Sequence, residues 1–162
     1  MNEDILSLRT AVDSLLLPLS DQRLRLLVPL TAIAEVLEEL PAVLPSSSIH
    51  PWVRGWLRWR ERDVPLLAYE GIAGREIPPL HAGCRVVIFN AIGAAAALGF
   101  YGILIHHLPR PLRLGPESDL RTQELAPPRG AAMLVEVGGE PAAIPDFEQL
   151  ELLALEAGAT PS

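Results

Sequence analysis

His50–Gly74 reads HPWVRGWLRWRERDVPLLAYEGIAG, and it says more about the fold than any other stretch of the chain. All three tryptophans (Trp52, Trp56, Trp59) fall within it, together with four arginines (Arg54, Arg58, Arg60, Arg62). Pro51 to Gly55 reads as a tight turn and Trp56 to Arg60 as a strand of bulky residues. Glu61 to Asp63 follows as a polar hairpin tip, and Val64 to Ala68 as an apolar return strand. Alternation sets Trp56, Arg58 and Arg60 on one face of the first strand, and Leu57 and Trp59 on the other. The second face, with Trp59, is expected in a core. The first is expected to display Arg and Trp, the residue types that dominate interface hot spots.

Composition bounds what surrounds this hairpin. A chain of 162 residues, 49% hydrophobic and 20% charged, is globular: one domain, or two small subdomains sharing a core. The net charge is −7 and lysine is absent, which argues against a nucleic-acid partner, because phosphate binding needs neutralising charge. A lone Cys84 excludes a disulfide within one chain. No basic, apolar leader is visible at the start, so the cytoplasm is the expected compartment. Val86 to Ile105 (VVIFNAIGAAAALGFYGILI) carries no charge and is long enough for a membrane helix. Asn90, three glycines and the β-branched ends favour two buried strands instead, joined near Asn90–Gly93, with no direct membrane insertion.

Sixteen prolines and twelve glycines punctuate short apolar runs, the pattern of many short strands. Ile5, Leu8 and Val12 are spaced as in a short leading helix or frayed terminus. Leu15–Leu19 and Arg23–Val28 read as a first hairpin about Ser20-Asp21. Thr31–Leu37 looks helical, Pro41–Pro51 is a loop, and Tyr69–Ala73 is one helical turn. Arg85–Asn90 and Ala94–Ile105 form a later hairpin that Arg110–Leu114 continues, and Glu117–Glu124 is an exposed connection. Met133–Val137 and Glu140–Ile144 pair across Gly138-Gly139. Asp146 then caps an amphipathic helix through Leu155, with Gln149 completing a capping box and Pro145 and Leu150 a staple.

No nucleotide-binding glycine loop, nucleophile elbow or zinc-protease motif occurs, and no enzyme activity or cofactor is expected. His50, His81, Cys84, His106 and His107 lack ligand spacing along the chain, and adjacent His106 and His107 point to opposite strand faces. No metal site is expected of them. Cys84 reads as a small buried hydrophobe rather than a nucleophile.

Val53-Arg54-Gly55, then Leu57 to Arg60, then Val64-Pro65-Leu66-Leu67 resembles the central hairpin of CheW-like adaptors of bacterial chemosensory systems. Leu27–Val36, Gly102-Ile103-Leu104-Ile105 and Asp146–Leu150 are similar to further family segments in the same order. The resemblance implies a mostly-β fold of two SH3-like five-stranded barrel subdomains and a C-terminal helix. The domain would span 14–155, between an N-terminal segment (1–13) and a tail (156–162). It also implies a non-catalytic adaptor between a chemoreceptor's cytoplasmic tip and a histidine kinase regulatory domain. Matching positions make Glu35, Val36, Gly55 and Arg60 receptor contacts, with Val87 near the same groove; Trp56 is added from the alternation. The chain departs from the family's usual residues at Glu61 (usually Gly), Ala68 and His106 (both usually Asp). Those departures suggest a divergent member, such as an auxiliary adaptor of a type IV pilus (twitching) system. The alternative is an interaction module of the same fold with a non-chemosensory partner.

Overall fold

The computed structural model describes residues 11–21, 23–93, 95–158 and 160. Ile5 and Leu8 of the expected leading helix lie outside them, and Val12 already belongs to the first strand. Among the described residues, twelve strands form two mostly antiparallel sheets. One sheet contains β1 (Val12–Pro18), β2 (Arg25–Pro29), β9 (Arg110–Leu114), β10 (Leu120–Thr122), β11 (Ala131–Val137) and β12 (Glu140–Pro145), ordered β10-β11-β12-β2-β1-β9. The other contains β3 (Ile33–Leu37), β4 (Val43–Leu44), β5 (Val53–Trp59), β6 (Arg62–Leu67), β7 (Arg85–Asn90) and β8 (Phe100–Ile105), ordered β3-β7-β8-β6-β5-β4. Each has one short strand, β10 or β4, beyond the five expected. The second subdomain is thus inserted between β2 and β9 of the first. Among the described residues the α-helices are α1 (Tyr69–Ile72) and α2 (Phe147–Ala154), both short.

The hairpins read from sequence form in register: Leu16 opposite Leu27, Trp56 opposite Pro65, Val87 opposite Ile103, and Val135 opposite Ala142. The uncharged run from Val86 to Ile105 is therefore two strands with a 3-10 turn at Ala96–Leu98 between them. No helix among the described residues is long and apolar enough to cross a membrane.

Four expectations fail where long-range pairing overrides the local pattern. Thr31–Leu37 is not helical: a 3-10 turn at Leu30–Ala32 leads into β3, because Val36 pairs with Val87 of the buried strand β7. Arg110–Leu114 does not extend the second subdomain but pairs with β1 of the first, Asp13 facing Arg113. Glu117–Glu124 contains β10, which the edge of β11 recruits. The loop before the central hairpin likewise contains β4, laid along β5.

Packing is divided among three apolar clusters. Leu16, Leu27, Val135, Val137 and Ala142 fill the first barrel. Leu57, Trp59, Val64, Leu66, Val86, Ile88 and Leu104 fill the second. The third and largest lies between the barrels. Leu17, Leu26 and Val28 meet Trp56, Leu67, Val87, Phe89, Tyr101 and Ile103 there, and Leu150 and Leu153 of α2 close it. Strict alternation sends Val86 and Ile88 into the second barrel and Val87 and Phe89 into the shared core. Burial pushes the Tyr69 and Tyr101 phenols well above their ordinary pKa, so both stay neutral.

α2 is capped as expected, the Asp146 carboxylate accepting from the Gln149 amide at 3.1 Å. The reciprocal half of the capping box does not form. The Gln149 side chain instead accepts from the Gly130 amide at 2.7 Å, and the Asp146 amide donates to the Gly130 carbonyl. The cap thereby ties the helix to the start of β11. The expected tail begins inside a 3-10 turn, Leu155–Ala157, whose Ala157 belongs to the shared core.

Phe89 is fully buried and stacks on Tyr101 at 5.4 Å. Phe89→Ala should cost about 3–5 kcal/mol in urea unfolding. Because the core is shared, tryptophan fluorescence, confined to the second subdomain, should report the same midpoint as far-UV circular dichroism, which covers both.

Candidate protein-interaction surface

The β5–β6 hairpin turns tightly on Arg60 and Glu61, both left-handed (φ 46° and 62°), with Trp59 facing Arg62 and Arg58 facing Asp63. This shortens the expected tip: Arg60 is in the turn rather than on the strand, and Arg62 and Asp63 are already in β6. Consecutive left-handed residues suit the twist of a two-residue hairpin, but that conformation is normally given to Asn-Gly.

Arg60 is 65% exposed, and its Nη2 donates to Glu35 Oε1 at 2.8 Å. The Trp59 indole N–H donates to the other oxygen of the same carboxylate at 3.4 Å. Glu35 belongs to β3, at one end of the sheet order, whereas β5 lies next to the other end, inside the short β4. The Glu35 side chain therefore bridges distant strands of the curled sheet. The Arg60 guanidinium also lies 4.6 Å from the Trp59 ring centre, a cation–π geometry. Beyond Trp59, Phe100 meets the indole edge-on at 4.8 Å, and Arg62 lies 5.2 Å over Phe100. The result is a row in which two packed aromatics lie between two cations, with a carboxylate at one end. An exposed ion pair such as Glu35–Arg60 contributes under about 1 kcal/mol, so a competing carboxylate can replace Glu35 at small cost.

The six candidate contact residues divide. Glu35 and Arg60 touch each other at the surface, and half-buried Val36 follows Glu35 on the strand. Val87, opposite Val36, is wholly buried in the shared core rather than lining a groove. Gly55 is also buried. A Cβ there would overlap the Leu44 carbonyl oxygen and come within 2.7 Å of Val43 Cγ1, so glycine is needed for β4 to lie against β5. Trp56 is not the exposed anchor that alternation suggested, being 4% exposed within the shared core. The reason is curvature. Both faces of β5 are covered, one by the barrel interior and one by the shared core, and only Arg58, nearer the turn, escapes. Trp59 is buried, as expected. The contribution of Phe100 was hidden from sequence reading, because it depends on the parallel pairing of β8 with β6.

The positions that depart from the family's usual residues are also buried in part. Ala68 is fully buried ahead of α1. The His106 side chain is buried too. Burial lowers its pKa below the ordinary histidine value, against an upward pull from Glu70. Among the hollows of the surface, one of about 320 Å3 lies on the first barrel between Leu27, Leu114 and Ile144. Its lining includes no titratable side chain, the kind of group on which acid–base chemistry depends.

A family model for the CheW-like domain matches residues 13–152. Among solved structures, the crystal structure of the scaffolding protein TtCheW from Thermoanaerobacter tengcongensis is similar, with a TM-score of 0.67 over 85% of this chain and 90% of that one. Sequence identity is 9%, so the likeness is one of fold. No curated protein matches the chain in sequence.

Glu61 holds a left-handed conformation that costs a non-glycine residue about 1 kcal/mol or more. Glu61→Gly should therefore raise unfolding stability by roughly 0.5–1 kcal/mol, after the greater flexibility of glycine in the unfolded chain is subtracted. Denaturant titration of the two proteins would measure the difference.

Proposed function

The chain belongs to the CheW-like domain family, and from that premise we propose that it is a non-catalytic adaptor coupling a chemoreceptor's cytoplasmic tip to the regulatory domain of a histidine kinase. The observation that carries this reading is the exposed Glu35–Arg60 couple, held on a tight turn of a two-barrel body. Receptor contact falls to Glu35 and Arg60, with Val36 beside them. Gly55, Trp56 and Val87 act from below by fixing the backbone that presents the pair. Arg60 suits the role, because a guanidinium binds a partner carboxylate through charge-assisted, directional bonds. The kinase takes a separate surface, so both partners are held at once. Signal passes without covalent chemistry, as receptor state alters how the adaptor holds the kinase. Such an adaptor works in the cytoplasm, and the departures at Glu61, Ala68 and His106 favour an auxiliary member of a pilus-linked system.

A second reading keeps the fold and changes the partner. Ala68 is wholly buried and His106 largely so, at positions where the family usually carries Asp. The absence of an acidic group at both positions favours a different, non-chemosensory partner.

Calorimetric titration of the purified protein against a receptor-tip fragment and a kinase regulatory domain separates the readings. Arg60→Ala should weaken receptor-tip binding at least about fivefold, as expected for an interface arginine. Kinase binding should stay within about twofold, since a surface substitution leaves a distant interface nearly unchanged. Binding to neither partner would leave the second reading standing and remove the first.

A further inference from the structure

His81, Cys84 and His106 meet at one end of the β7–β8 hairpin, and each offers a ligand atom within 4.8 Å of the other two. Strand register brings them together. Arg85 pairs with Ile105 and Val86 with Leu104, so the next position outward sets Cys84 against His106 on one face. A turn in which the Cys84 amide donates to the His81 carbonyl at 3.0 Å folds His81 back over the same point.

His106 shows that the cluster is unfinished. Its side chain is only 8% exposed, and among the described residues neither ring nitrogen has a hydrogen-bond partner. Two orphaned nitrogens in one buried ring are costly, and native structures rarely tolerate them without a ligand. Behind the ring stands Glu70, fully buried, with one carboxylate oxygen 3.8 Å from Nδ1. That oxygen accepts from the Ser20 amide at 3.2 Å and the Ser20 hydroxyl at 2.6 Å, while its twin has no partner among the described residues. A carboxylate behind an imidazole is the arrangement that orients metal-ligating histidines.

We propose that His81, Cys84 and His106 form a zinc site at the rim of the second barrel, with Glu70 orienting His106 and a fourth position open to water. Two imidazoles and a thiolate are a donor set that suits zinc and disfavours magnesium or calcium. At the full 4.8 Å separation an ion equidistant from the three atoms sits about 2.8 Å from each, roughly 0.5 Å beyond a zinc–sulfur bond and about 0.7 Å beyond a zinc–nitrogen bond. Exposed His81 makes most of that adjustment, giving up or keeping the hydrogen bond its Nδ1 accepts from Gly83 at 3.1 Å according to which nitrogen ligates. The thiol proton leaves to solvent when the metal binds. Zinc there pins the connection after α1 to the β7–β8 hairpin. The site shares no residue with the Glu35–Arg60 couple, so it stands or falls independently of the adaptor reading.

The test is a Co2+ titration of the full chain after chelator treatment, followed by Zn2+. One Co2+ per chain is expected, with a thiolate-to-cobalt charge-transfer band and tetrahedral d–d absorption that Zn2+ abolishes. His81→Ala, exposed and outside the core, should fold normally by circular dichroism and bind at least about tenfold more weakly. Glu70→Gln should weaken binding about 10–100-fold. Absence of the charge-transfer band in the wild-type protein, or equal affinity in His81→Ala, would overturn the assignment.

Discussion

Strands β1, β2, β7 and β8 are each buried on both faces, and the rest of the architecture depends on that condition. Each is the wall of its own barrel and also a wall of the core between the barrels. In an ordinary solvated sheet one face of every strand is polar. Here Val86, Val87, Ile88 and Phe89 follow one another without a polar residue, because odd and even positions face different cores. The condition accounts for the uncharged twenty-residue run without any membrane. It also explains how a modest chain fills three apolar clusters: the central strands serve two each.

Burial on both faces leaves little room for charge, and the exceptions are structural. Glu151 of α2 is 1% exposed and its carboxylate takes the Gly93 amide on both oxygens, at 2.8 and 3.2 Å. It thereby fastens the β7–β8 connection to the helix. Glu70 does similar work for the β1–β2 turn through Ser20. Surface chemistry is displaced to the tips of hairpins, where the cores end. The Glu35–Arg60 couple sits at such a place, its charges in solvent and its orientation set by the buried indole of Trp59.

How much of this the sequence made legible follows from the same division. Hairpins whose turn chemistry is local, such as Gly138-Gly139, were readable, and so was the Asp146 cap. Trp59 and the strand content of the Val86–Ile105 run were readable because apolar patterning survives burial. Trp56 was misplaced because alternation says which residues share a face, not whether that face meets solvent. β3 has a helical pattern because its residues suit either state, and only β7 decides between them. Arg110–Leu114 went to the wrong subdomain since nothing local reveals that the chain has returned to its first barrel. The His81–Cys84–His106 cluster was invisible for a related reason: its third member is close only through strand register.

That return has a consequence for biosynthesis. The second barrel is continuous in sequence from β3 to β8 and can close as soon as those residues have left the ribosome. The first barrel cannot. Its β1–β2 hairpin emerges early and then waits, with Leu16 and Leu27 uncovered, until β11 and β12 are made and Ala143 can align beside Leu26. Such delayed, long-range pairing is slow and leaves apolar surface open to aggregation. The nascent inserted barrel shortens the wait, because the faces of β7 and β8 that form the shared core offer Leu17, Leu26 and Val28 an apolar surface before their own barrel exists. In chain order, the face of the inserted subdomain against which Leu17, Leu26 and Val28 pack is therefore complete before the barrel that encloses it.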